Sequence, residues 1–70
     1  MTVVEKNHKT ENYYIALEIE MGRYGPYYNV QVCPRISECE CGYPIRIIAY
    51  CIDEKKKAYA TFNRYKRKYV

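Results

Sequence analysis

Four cysteines are the residues of this chain whose spacing could support metal binding. Cys33, Cys39, Cys41 and Cys51 follow the pattern C-x5-C-x-C-x9-C. Four thiolates can hold zinc, but structural zinc sites usually take two ligands from a C-x(2–4)-C turn, and no pair here has that spacing. Disulfide formation is a second possibility, although disulfides do not persist in a reducing cytosol. We therefore expect no metal and no cofactor, with the thiols reduced and acting as small apolar side chains.

Side chains that could carry out catalysis are few. The sequence has one serine, Ser37, and one histidine, His8, and it contains neither a glycine-rich phosphate loop nor an H-E-x-x-H motif. Glu18 and Glu20 would share one face of a strand, and paired carboxylates can perform acid–base chemistry. Exposed glutamates on a strand are, however, ordinary solubility residues. The sequence therefore predicts a protein that is not an enzyme and has no small-molecule substrate.

Positive charge is concentrated near the end of the chain. Residues 53–70 contain seven Lys and Arg against two acids, which gives +5. Residues 1–52 contain five bases against six acids, which gives −1 and leaves a net charge of +4. Such an asymmetry favours an acidic partner for the last segment.

The same segment has the pattern of an amphipathic helix. Ala58, Phe62, Tyr65 and Tyr69 recur at helical spacing and would face a core. The opposite side would present a cationic row, which could neutralise phosphates of a nucleic acid. This row comprises Lys57, Arg64 and Lys68, with Lys56 and Arg67 beside it. Asp53 is the expected N-cap of this helix.

The elements that must position these residues are three strands. Residues 13–21 alternate between apolar and polar side chains, and residues 26–36 do the same after a Gly-rich turn. Matching their apolar faces places Met21 opposite Pro26 and Leu17 opposite Val30. Residues 45–52 form a third strand with apolar side chains on both faces.

The expected fold is α+β: a three-stranded antiparallel meander with one C-terminal helix packed on one face. Residues 13–70 would form this single β-β-β-α domain. Residues 1–12 are polar and predict a disordered leader, with His8 as a solvated tail residue. The sequence shows no apolar stretch of membrane-spanning length and no secretory signal, so we expect a cytoplasmic protein that does not contact a membrane.

The outer face of this sheet offers a second cationic site. In the expected register, Arg35 and Arg46 lie opposite each other on neighbouring strands, with tyrosines nearby. Like charges placed opposite each other are unfavourable unless an anion lies between them. Arginine interleaved with aromatic side chains suits nucleic acid.

This outline of three strands and a helix, together with Thr61-Phe62-Asn63-Arg64-Tyr65, resembles the amino-terminal arm-site-binding domains of tyrosine integrases. That resemblance implies DNA binding by the sheet face. The segments ISECECGYPIRI and EKKKAYATFNRYKRKY also look like small proteins encoded on conjugative elements of Gram-positive bacteria. That similarity implies a mobile-element context. The leading hypothesis is therefore a small accessory protein that binds nucleic acid.

The alternative hypothesis is a protein-interaction module or homodimer. On the expected orientation of the third strand, Ile48, Tyr50 and Ile52 would face outward. These side chains, together with the open edge of that strand, would form the interaction surface.

Overall fold

A computed structural model describes residues 2–37 and 40–70, which form a four-stranded antiparallel sheet and one helix. The elements are β1 (Thr2–Lys9), β2 (Tyr13–Gly22), β3 (Gly25–Pro34), β4 (Arg46–Cys51) and α1 (Lys55–Lys68). The strands lie in the sheet in the order β1-β2-β3-β4, and each is antiparallel to its neighbour. The α+β class with a C-terminal helix is confirmed, whereas the prediction of three strands is wrong.

The additional strand is β1, which occupies most of the segment that we expected to be disordered. It pairs with β2 from Thr2↔Glu20 to Lys9↔Tyr14, with a bulge between Val4 and Lys6. Its sequence is mostly polar and shows no alternation of apolar and polar residues, and seven of its eight residues are exposed. β1 is held mainly by its backbone pairing with β2, and the leader prediction is therefore wrong. His8 is half-buried within it and lies opposite Ile15.

The β2–β3 hairpin has the register expected from face matching. Met21 lies opposite Pro26 and Leu17 opposite Val30, as predicted. The turn closes at Gly22↔Gly25, where Gly25 has a φ of +118°, a conformation that side-chain-bearing residues rarely adopt. β3 ends at Pro34, two residues earlier than expected, because proline has no N–H to donate to the ladder.

The core lies between α1 and one face of the sheet. Its buried side chains are Ile15, Leu17, Tyr28, Val30, Val32, Ala58 and Phe62. Residues that lie opposite each other in an antiparallel pair share a face, and side chains alternate along each strand. The other face of the sheet is not covered by α1, and we refer to it as the open face.

β4 corresponds to the predicted third strand, but the face that meets α1 is the one predicted to point outward. Tyr28 lies opposite Tyr50 and Val30 opposite Ile48, so Tyr50 and Ile48 face α1. Both side chains pack against the core, and the Tyr50 hydroxyl shares a hydrogen bond with the hydroxyl of Thr61 on the helix. Ile47 therefore lies on the open face, where it is 61% exposed.

The helix begins at Lys55, with Glu54 and not the predicted Asp53 as the N-cap. The Glu54 carboxylate accepts hydrogen bonds from the backbone N–H of Cys51 at 3.0 Å and from Lys57 Nζ at 2.9 Å. These bonds, the one from Lys57 above all, lower the pKa of Glu54. The Glu54 side chain thus fixes the turn that joins β4 to α1.

Candidate nucleic-acid interface

Charge differs sharply between the two sides of the molecule. The helix α1 contains seven Lys and Arg residues and no acidic residue. On the open face, the register places one cation, Lys9, with two carboxylates, Glu18 and Glu20. The formal charge of these open-face strand residues is therefore −1, and that of the helix is +7. Phosphate groups would be attracted to the helix side and repelled by the open face.

All five helix cations predicted from the sequence lie on the solvent-facing surface of α1. This surface, which we call the cationic face, consists of Lys56, Lys57, Arg64, Arg67 and Lys68, all exposed. Lys57 forms an ion pair with Glu54 that raises the lysine's pKa. Arg64, Arg67 and Lys68 lie at the other end of α1, where the sequence has no acidic residue. The positive charge at this end is therefore less neutralised than that of Lys57.

The predicted pairing of Arg35 with Arg46 is wrong. Arg46 lies opposite Val32, so its side chain is on the helix side of the sheet. Arg35 lies beyond the end of β3, forms an isolated bridge with Cys41, and donates from Nη1 to the carbonyl oxygen of Thr10. The two arginines are separated because β3 stops at Pro34 and because β4 has the opposite orientation from the one expected.

Three tyrosines that were not predicted from the sequence to form a site meet beside the last turn of α1. This tyrosine cluster consists of Tyr13 on β2, Tyr65 on α1 and Tyr69, the C-cap of α1. The rings of Tyr13 and Tyr69 lie edge to face at 5.3 Å between centroids, and those of Tyr65 and Tyr69 at 5.6 Å. All three side chains are half-buried against the core.

Cations surround this cluster. The guanidinium of Arg64 lies 5.6 Å from the centre of the Tyr65 ring, and Lys68 Nζ lies 5.5 Å from that of Tyr69. Arg46 donates from Nε to the Tyr69 hydroxyl at 3.3 Å. This bond is the main reason why the pKa of Tyr69 is lowered, and it raises the pKa of Arg46. The cluster thus joins the cationic face to Arg46.

The dipeptides Arg64-Tyr65 and Lys68-Tyr69 could have revealed the cluster in the sequence. They repeat a cation followed by tyrosine after four residues, which is one helical turn. Tyr13 could not be assigned to the same site, because its proximity to Tyr69 depends on how the helix lies across the sheet.

The alternative interaction surface requires a correction. Ile48 and Tyr50 pack against the core, so neither forms part of an outward surface. Ile52 is 42% exposed in the turn after β4. Besides Ile52, the exposed apolar isoleucines of this region are Ile45 and Ile47, at 50% and 61%.

The described cysteines differ in exposure. Cys33 is buried, while Cys41 and Cys51 are exposed, and Cys39 lies outside the described residues. Burial, followed by the proximity of Cys41, raises the pKa of Cys33 and favours its neutral thiol. Within residues 2–37 and 40–70, no three His, Cys, Asp or Glu side chains are arranged to hold a metal ion.

Within the part of the chain that the structure describes, no helix has the length and apolar character needed to cross a membrane.

Comparison with known proteins identifies no family for this chain. No protein-family model matches the sequence, and neither a curated protein nor a solved structure shows significant similarity to it.

Proposed function

We propose that the protein binds nucleic acid through the cationic face of α1. The observation that carries the proposal is the separation of charge between the helix and the open face of the sheet. A helix with seven cations and no acid attracts a polyanion, and packing of α1 on the core leaves the five cations of the cationic face exposed.

The docking surface in this proposal differs from the one implied by the resemblance to integrase arm-site domains. Glu18 and Glu20 lie on the open face and would repel phosphate. The helix, and not the sheet, is therefore the surface that the charges favour.

A salt titration tests this proposal. Binding of a fluorescently labelled DNA duplex is measured by anisotropy at salt concentrations from about 50 to 200 mM, a range over which phosphate-dependent affinity falls steeply. We expect the logarithm of the affinity to fall linearly with the logarithm of the salt concentration. Absence of binding to both duplex and single-stranded DNA at the lowest salt concentration would refute the proposal.

A pair of charge-matched variants locates the binding surface. Arg64→Gln with Lys68→Gln removes two cations from the cationic face, whereas Arg23→Gln with Lys9→Gln removes two exposed cations elsewhere. We expect the first variant to bind more weakly and to lower the salt slope by about 0.9 for each phosphate that the protein no longer neutralises. The control variant should retain most of the affinity. An equal weakening of both variants would mean that only net charge matters.

A second candidate function is a protein–protein contact at β4. The observation in its favour is that Ile45 and Ile47 expose apolar surface beside an edge strand of the sheet. Sedimentation velocity at increasing protein concentration would detect self-association. Ile47→Asp should abolish it, while Ile36→Asp, at a 68% exposed position outside the strands, should not.

A further inference from the structure

The tyrosine cluster is more elaborate than a salt-dependent phosphate surface requires. Long cations on a helix are sufficient to neutralise a phosphate backbone. Here Arg46, Arg64 and Lys68 instead converge on the aromatic side chains of Tyr65 and Tyr69. This combination of rings and cations has a recognised use in nucleic-acid binding that a cationic surface alone does not have.

We infer that the tyrosine cluster is a stacking platform for unpaired bases, so that the nucleic acid bound by this protein is single-stranded. The inference rests on the proposed function and specifies its ligand. Aromatic side chains beside cations suit single strands, because every unpaired base has a π-face that can stack on a ring while lysine and arginine contact the phosphates. In a duplex, bases stack on one another and present only their edges in the grooves.

The position of the rings fits this role. Tyr65 lies on α1 and Tyr69 follows as its C-cap, and both are half-buried, so each side chain is anchored by the core while part of it remains accessible. Tyr13 contacts Tyr69 edge to face, which limits the freedom of the Tyr69 ring. A ring held in this way loses little conformational entropy when a base stacks on it.

The cations are placed to contact the backbone of the same strand. Arg64 directly precedes Tyr65 and Lys68 directly precedes Tyr69, so each of these rings has a cation beside it at the C-terminal end of α1. Arg46 reaches the cluster from β4 through the Tyr69 hydroxyl. A strand that follows this end of the helix would therefore meet a cation beside each ring.

The test compares two ligands and two matched double variants. The ligands are a labelled oligothymidine of about 12 nucleotides, within the site sizes typical of single-strand binders, and a duplex of the same length. The variants are Tyr65→Leu with Tyr69→Leu, and Tyr24→Leu with Tyr43→Leu. The second pair removes two tyrosines that are 97% and 94% exposed and lie outside the cluster.

We expect the unaltered protein to bind the single strand more tightly than the duplex. The affinity of the cluster variant for the single strand should fall at least about fivefold, the lower end of the effect of removing a stacking side chain. Its affinity for the duplex should change little, and the control variant should behave as the unaltered protein. Tyr69→Phe keeps the ring and should keep the preference for the single strand.

Two results would overturn the inference in distinguishable ways. Equal affinity for single strand and duplex in the unaltered protein would exclude a stacking platform while leaving the cationic face as a phosphate-binding surface. No binding of either ligand would refute the proposed function and the inference together. The ligand comparison needs no variant, so it can overturn the inference even if Tyr65→Leu with Tyr69→Leu prevents folding.

Discussion

The hydroxyl of Tyr50 on β4 and the hydroxyl of Thr61 on α1 share a hydrogen bond across the helix–sheet boundary. Thr61 is only 4% exposed, so its hydroxyl has little access to water. The bond satisfies a polar group inside the core and fixes which face of β4 meets the helix.

Replacing Tyr50 with Phe is therefore expected to destabilise the fold. The ring would remain in place, but the buried Thr61 hydroxyl would lose its partner, at a cost of about 1–2 kcal/mol in the free energy of unfolding. Urea unfolding followed by circular dichroism measures this change. Tyr24→Phe, at a side chain that is 97% exposed, is the matched control and should leave the unfolding midpoint unchanged. Identical midpoints for the two variants would contradict the hydrogen bond.

The orientation of β4 is tested by two neighbouring isoleucines. Ile48→Ala removes a side chain packed against the core, whereas Ile47→Ala shortens one that is 61% exposed. Because Ile48 is only partly buried, we expect Ile48→Ala to lower the free energy of unfolding by about 2 kcal/mol, at the low end of core truncations. Ile47→Ala should lower it by less than about 0.5 kcal/mol. Chemical denaturation of both variants gives the comparison. A larger loss of stability for Ile47→Ala than for Ile48→Ala would support the orientation expected from the sequence.

The contribution of β1 is tested by removing residues 1–9. Without β1, the outer edge of β2 would lose its backbone partners, each worth roughly 0.5–1.5 kcal/mol. We therefore expect the free energy of unfolding to fall by more than about 2 kcal/mol. Deleting Val70, which is exposed and follows α1, is a control for truncation at a chain end. An unchanged stability after removal of residues 1–9 would support a disordered leader.

Glu18 is expected to make the fold less stable as the pH rises. Its pKa is raised above the ordinary 4.5, mainly by burial, although a hydrogen bond with Asn29 opposes the shift. The folded chain thus binds this proton more tightly than the unfolded chain, so the free energy of unfolding falls as the pH rises from 4.5 through the raised pKa. Glu18→Gln should remove that fall. Urea unfolding at a series of pH values would show it.

Glu54 is expected to change the stability of the fold with pH in the opposite direction from Glu18. The Lys57 ammonium and the backbone N–H of Cys51 lower its pKa, so its contribution is present above 4.5 and disappears as the pH falls through the lowered value. An NMR titration of the side-chain carboxyl carbons should therefore show Glu54 protonating at a lower pH than Glu18. Titration of both carboxylates at the same pH would contradict the two environments.

The sequence was sufficient to predict the elements with a clear hydrophobic period. The alternation in residues 13–21 determined the hairpin register, because a slip of one residue would have moved Leu17 to the wrong face. The spacing of Ala58 and Phe62 likewise predicted the buried side of α1, and both residues are in the core.

Two elements could not be predicted from local pattern, for different physical reasons. β1 is polar, and its strand conformation is supported mainly by the neighbouring strand and only slightly by burial of its own side chains. β4 is apolar on both faces, so alternation alone does not indicate which side meets the helix. The helix itself selects that side, through Tyr50 and Thr61. The tyrosine cluster was missed for the same reason, since it joins α1 to the beginning of β2.

The order of the strands in the sheet is also their order along the chain. Each strand can therefore pair with the one that precedes it by closing a local loop, the longest being residues 35–45 between β3 and β4, and such local pairing favours rapid folding. The helix is made after the four strands, and until it docks, Ile15, Leu17 and Val30 have no cover on the helix side. During synthesis, the apolar face of the sheet would thus stay open to unwanted association until Phe62 reaches it.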